Sequence, residues 1–177
     1  MWFKRFAFIM FIFCLQVSYG CLPTGTPFGQ VDIPKLDSSR SRVFFYYSKA
    51  APELVRIASD DNGLLKSLVV LNHQNECSYV DLDPKDYKIC VVGSTAGGEF
   101  WRTKEHAIYV SLDPGKTYYV QVAWYSVPPK LFDNVFKIRK GINLILMDAE
   151  EGQADVSKCL YVDREEALKW MGKLNGD

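Results

Sequence analysis

The stretch Tyr109-Val-Ser-Leu-Asp-Pro-Gly-Lys-Thr-Tyr-Tyr-Val-Gln-Val-Ala-Trp-Tyr125 decides the fold. Val110 and Leu112 lead into Asp113-Pro-Gly-Lys116, and Tyr118, Val120, Val122 and Trp124 lead out. Apolar residues at every second position on both sides of an Asp-Pro-Gly turn predict two half-buried antiparallel strands. Earlier, Tyr79-Val-Asp-Leu-Asp-Pro84 runs through Lys85-Asp86 into Tyr87-Lys-Ile-Cys-Val91 in the same way.

Read as a hairpin about Asp83–Asp86, the earlier unit sets Leu82 against Tyr87 and Val80 against Ile89 on one face. On the other face Asp81 meets Lys88, an opposite-charge pair that supports the register. The later unit needs one more turn residue to set Leu112 against Tyr118, Val110 against Val120 and Ile108 against Val122. Gly115 is its natural site, because an odd loop or bulge needs a positive φ. The alternative is that each Leu-Asp-Pro segment turns a corner between two sheets, with Tyr87 or Tyr118 bonding back to backbone as a tyrosine corner.

Working outward, Arg42-Val-Phe-Phe-Tyr-Tyr47 and Leu68–Leu71 read as strands, and Asp60-Asp-Asn-Gly63 as a turn. The alternation of Leu54-Val-Arg-Ile57 competes with a helix start at Pro52-Glu53. Gly93–Lys104 reads as a flexible loop, and Val127-Pro-Pro129 ends the strand through Trp124. Val135–Ile138 and Ile142–Met147 read as strands about Arg139-Lys-Gly141, and Asp148–Lys158 as an acidic loop. Asp163-Arg-Glu-Glu166 then opens a short C-terminal helix with the stripe Ala167, Leu168, Met171 and Leu174.

Before the fold comes a targeting pattern. Lys4 and Arg5 precede the apolar run Phe6–Leu15, too short to span a bilayer comfortably, and Val17-Ser-Tyr-Gly-Cys21 follows. Ser18 and Gly20 suit cleavage after Gly20, which leaves Cys21 first, as in bacterial lipoproteins. Cysteine parity opposes lipidation: Cys21, Cys77, Cys90 and Cys159 are an even set suited to disulfides. The expected organisation is a signal peptide over 1–20, a tether or loosely packed arm over 21–40, a β-sandwich domain over 41–162 and a helix with tail over 163–177. The 177 residues suffice for one domain, and 48% hydrophobic content with 14% aromatics excludes a disordered chain. Lys plus Arg and Asp plus Glu balance at 21 each, so no net field draws nucleic acid.

On Arg42-Val-Phe-Phe-Tyr46, Tyr79–Ile89, Gly115-Lys-Thr-Tyr-Tyr-Val120 and Asp148-Ala-Glu-Glu-Gly152, the chain resembles bacterial envelope lipoproteins of the domain-of-unknown-function 2846 family. It departs from their pattern at Lys85, where Gly is usual. The resemblance implies a β-sandwich domain at the cell envelope and carries no catalytic residue; the expected fold is all-β, an antiparallel sandwich of immunoglobulin- or transthyretin-like Greek-key type with a short C-terminal helix.

Candidate sites are few. Cys21 is the lipid-attachment candidate and so the membrane contact. Cys77, Cys90 and Cys159 are disulfide candidates, with at least one bond expected and Cys159 able to join either partner. Trp101 and Tyr125 are the aromatics free of core parity, candidates for contact with a partner protein or a glycan. His73 and His106 lack partners at catalytic or metal-ligand spacing. The expected function is a non-enzymatic envelope module, without cofactor or metal, that contacts another envelope component; a glycan-binding module is the alternative.

Overall fold

The computed structural model describes residues 25–47, 55–72, 75–94, 100–102, 107–127 and 139–175. They form eleven strands, two α-helices and a 3-10 turn at Phe28–Gln30. The strands are β1 (Thr26–Pro27), β2 (Ser41–Tyr47), β3 (Val55–Asp61), β4 (Leu64–Leu71), β5 (Glu76–Leu82) and β6 (Asp86–Ser94). They continue as β7 (Phe100–Arg102), β8 (Ile108–Ser111), β9 (Thr117–Val127), β10 (Arg139–Met147) and β11 (Leu160–Tyr161). Helix α1 spans Ala149–Val156 and α2 spans Arg164–Asn175.

A six-stranded sheet has the order β1-β11-β5-β2-β9-β10, and a five-stranded sheet runs β4-β3-β6-β7 with β8 also on β6. Every pairing in the second sheet is antiparallel. The first is mixed, because β2 runs parallel to β9 and β11 parallel to β5. The purely antiparallel expectation fails there: β2 enters the middle of the sheet without a hairpin to either neighbour, so its direction is set by packing.

Neither Asp-Pro unit is a hairpin. β5 pairs β2 in one sheet, while β6 pairs β3 in the other. Likewise β8 lies on β6 and β9 on β2. Asp83–Lys85 and Asp113–Lys116 are therefore arches from sheet to sheet, the corner alternative. An arch preserves the inward parity of both its strands, so the expected faces survive. Val80, Ile89, Val110, Val120 and Val122 share the main core with Phe45, Ile57 and Leu71, and Leu82 packs against it. Gly115 has φ +72°, as the longer turn requires. The Asp81–Lys88 pair does not form; Asp81 holds Arg42 across β2–β5, and Lys88 holds Asp60.

The outer face of the six-stranded sheet is also dry. All seven residues of β2 are buried, and Phe44, Tyr46 and Tyr119 lie under α1 with Phe28 and Ile33 packed alongside. Phe28 meets Phe44 edge-on at 5.7 Å, and its N–H donates to the Cys159 carbonyl. The described part of the expected tether, from Gly25, is thus packed on the domain. Asp148–Lys158, expected as a loop, begins with α1: Asp148 caps it by accepting the Glu150 N–H at 2.9 Å. The acidic residues in its first turn, Glu150 and Glu151, suit the positive end of the helix dipole. The cap of α2 forms as expected, with Asp163 accepting the Glu166 N–H. Arg139-Lys-Gly141 is the start of β10 rather than a turn. Val135–Ile138 and Pro52-Glu53 lie outside the described residues.

Candidate functional site

The two arches and the β3–β4 turn gather polar groups at one end of the molecule. The Tyr118 hydroxyl accepts the Asp113 N–H at 2.8 Å. Tyr118 thus ties its strand back to the arch before it. At the other arch, burial pushes the Tyr87 phenol up. Arg40 spans the gap, with Nη2 donating to the Asp81 carbonyl at 2.6 Å and Nη1 3.2 Å from Asp83. Lys88 lies 2.6 Å from Asp60. Arg40, Asp60, Asp83, Tyr87 and Lys88 rim a cleft of about 450 Å³, with Leu68, Val80 and Leu82 among its lining residues.

Two cations of this cleft are paired with carboxylates, Arg40 with Asp83 and Lys88 with Asp60. Among the described residues no group of three or more metal-ligating side chains converges. The arrangement fixes the arches. Tyr118→Phe is expected to lower unfolding free energy by about 1 kcal/mol by removing the acceptor for Asp113. The readout is a lower denaturation midpoint at unchanged slope; an unchanged midpoint would mean that Tyr118 does not hold the corner.

Cys21, His73 and His106 lie outside the described residues. The backbone sets Trp101 opposite Gly93 in the five-stranded sheet and Tyr125 opposite Gly141 in the six-stranded sheet. Each stands near the strand end remote from the arches, on a different sheet. Cys77, Cys90 and Cys159 stand as free, buried thiols in this structure. Cys77 and Cys90 face outward from different sheets. Cys77 instead stands beside Cys159.

No family model matches the chain, and no curated protein matches it. What the surface offers therefore has to be read from its own chemistry.

The strand edges differ in that respect. At β4 the Leu68 carbonyl is taken by Arg164 Nε at 2.6 Å, so the start of α2 blunts that edge. On the other sheet β10 pairs β9 along all nine of its residues and, among the described residues, has no strand on its other side. Ile145 and Leu146 lie on opposite faces of this edge, 41% and 47% exposed. Sequence reading marked this strand but gave it no role; five apolar residues in six, from Ile142 to Met147, were the available signal. Tyr109, 78% exposed on β8, was likewise legible as outward from the inward parity of Val110 and Leu112.

Proposed function

We propose that this chain is an exported, non-enzymatic envelope lipoprotein whose domain works by strand-edge pairing, its preferred occupant a second copy of itself. The observation that carries the interaction role is the β10 edge, long, apolar and open among the described residues. An open edge supplies main-chain hydrogen bonds for affinity, and alternating side chains for specificity. Charge favours self-pairing: the strand begins Arg139-Lys140 and is followed by Asp148, Glu150 and Glu151. Two copies laid antiparallel bring the basic start of each against the acidic end of the other.

The finer fold reading is a transthyretin-like Greek-key sandwich. Its support is that the eight longer strands divide four and four, as β5-β2-β9-β10 and β4-β3-β6-β8, with one parallel pair among them, β2–β9. Export and anchoring rest on Lys4-Arg5, Phe6–Leu15 and Cys21, together with the resemblance to the envelope family. No helix among the described residues is long and apolar enough to cross a membrane. Packing from Gly25 onward gives the anchor a consequence. Only Leu22, Pro23 and Thr24 separate Cys21 from the docked arm, a reach of at most about 14 Å. A lipid on Cys21 therefore holds the domain against the bilayer surface.

Two measurements test this. Intact mass of membrane-purified protein is expected to show diacylglyceryl and acyl increments on an N-terminal Cys21; an unmodified Cys21 would remove the anchor. Sedimentation of the soluble domain is expected to show self-association, weakened at least about tenfold by Ile145→Lys with Leu146→Lys. A monomer at every concentration would end the pairing role, and glycan binding lost in Trp101→Ala would replace it.

A further inference from the structure

Cys77 and Cys159 meet on the outer face of the six-stranded sheet, in the cluster that holds Phe44, Tyr46 and Tyr119. Cys77 lies on β5 at the register of Tyr161, and Cys159 lies in the short link from α1 to β11. The Cys159 thiol also reaches the Asp155 carbonyl of α1 at 3.4 Å. The two thiols share this cluster, each perturbing the other's ionisation, and both are buried, at 0% and 5% exposure.

Cys90 stands apart. Its thiol reaches the Ala58 carbonyl at 3.5 Å on the outer face of the five-stranded sheet, packed with Val92. Facing sheets lie about 10 Å apart, and disulfide Cα atoms lie within ~7 Å. Two outward-facing cysteines on opposite layers cannot bond.

We propose that Cys77 and Cys159 form a disulfide by exchange with an external disulfide, and that Cys90 remains a buried thiol. The Cys159 thiolate attacks one sulfur of the external disulfide and expels the other sulfur as a thiolate. The Cys77 thiolate then attacks the Cys159 sulfur of the mixed disulfide and displaces the second thiol. Two S–H bonds are exchanged for one S–S bond, and the external disulfide leaves as two thiols carrying both electrons and both protons. Cys159 attacks first because it lies on the link from α1 to β11, which undocks, whereas Cys77 stays on β5. With both sulfurs covered, exchange takes place while α1 and β11 are undocked, during folding or local opening.

The bond links β5 to the end of α1 and fixes the helix over β2 and β9. It also answers the parity problem. With 77 joined to 159 and Cys90 out of reach of both, Cys21 has no partner within that pair and is left for acylation. That last consequence rests on the proposed function; the pair itself does not.

The test uses the full chain refolded in a glutathione redox buffer, trapped by alkylation in denaturant and mapped by mass spectrometry. The expected map joins the peptides carrying Cys77 and Cys159 and shows Cys90 alkylated. Reductant is expected to lower Tm by about 10 °C, since the closed loop spans most of the domain. Cys90→Ser keeps that response, whereas Cys77→Ser and Cys159→Ser abolish it. A bond from Cys90 to either cysteine would overturn the assignment. So would folded protein in which 77 and 159 stay alkylatable at every oxidant ratio. The wild-type map decides even if a serine variant fails to fold.

Discussion

Gly152→Ala is expected to lower the unfolding free energy by about 2 kcal/mol, although in an isolated helix the same change is worth about 1 kcal/mol in the opposite direction. The sign is decided by what stands opposite. Gly152 is buried in the middle of α1, and its N–H donates to the Asp148 carbonyl. A Cβ built there lies 2.3 Å from Tyr119 Cβ and 2.5 Å from Tyr119 Cγ, where real Cβ atoms do not approach within 3.0 Å. Tyr119 cannot swing aside, because the nearer atom is its own Cβ, fixed to the β9 backbone. Its ring is also stacked on Phe44 at 5.5 Å and 9°.

The helix must therefore lift, and lifting it uncovers Phe44, Tyr46 and Val156. Overpacking of this kind costs about 1–3 kcal/mol before any loss of burial is added. In a chain of this size the net change is a Tm lower by roughly 4–8 °C. Glu151→Ala, one position away and exposed, is the control and is expected to change little. A Gly152→Ala protein as stable as the wild type would mean that α1 does not rest on Tyr119.

The contact between Gly152 and Tyr119 also marks where the sequence stopped being legible. Side-chain parity along Tyr109–Tyr125 was readable because period two fixes a face whatever the partner strand. For the same reason it could not choose between hairpin and arch, since Leu82 and Tyr87 point inward in both. Asp81 and Lys88 looked like a confirming cross-strand pair, but each had another partner within reach, Arg42 and Asp60. Tyr118, just beyond its arch, was the better clue, because a hydroxyl that bonds back to backbone belongs to a corner.

The outer layer was missed for a different reason. Phe44-Phe-Tyr-Tyr47 has no alternation at all, and an unbroken apolar run is what a strand covered on both faces requires. Its cover comes from distant pieces of low hydropathy, the arm from Gly25 and the acidic helix α1, whose sequences read as linker and loop. The candidate site suffered likewise. Cys159 lies on the link behind α1, so its proximity to Cys77 depends on that helix docking, and no spacing rule reports it.

Asp81→Ala is expected to cost about 3 kcal/mol, more than the loss of any other ion pair described here. Arg42 and Asp81 are register partners on β2 and β5. Arg42 Nε and Nη2 each lie 2.7 Å from one carboxylate oxygen, and the guanidinium lies 4.4 Å above the Tyr79 ring. Arg42 Nη1 donates to the Pro34 carbonyl at 2.7 Å, which ties the N-terminal arm to the sheet. The arginine side chain is 7% exposed and the aspartate side chain 33%. Removing Asp81 therefore strands a buried cation, held charged in the native state by that carboxylate. Removing Arg42 leaves a carboxylate that water can reach, so Arg42→Leu is expected to cost less, about 1–2 kcal/mol. Lys116 and Asp113, with side chains 65% and 60% exposed, set the contrast; Lys116→Ala is expected to leave the midpoint unchanged. Denaturation midpoints of the three variants give the order. Limited proteolysis separates this account from simple destabilisation: Asp81→Ala is expected to open cleavage between 25 and 40 before the core yields, because Pro34 loses its hold. Uniform protection of that arm would mean that Phe28 and Ile33 dock it without the arginine. The short distance from a lipidated Cys21 to the domain would then rest on apolar packing alone.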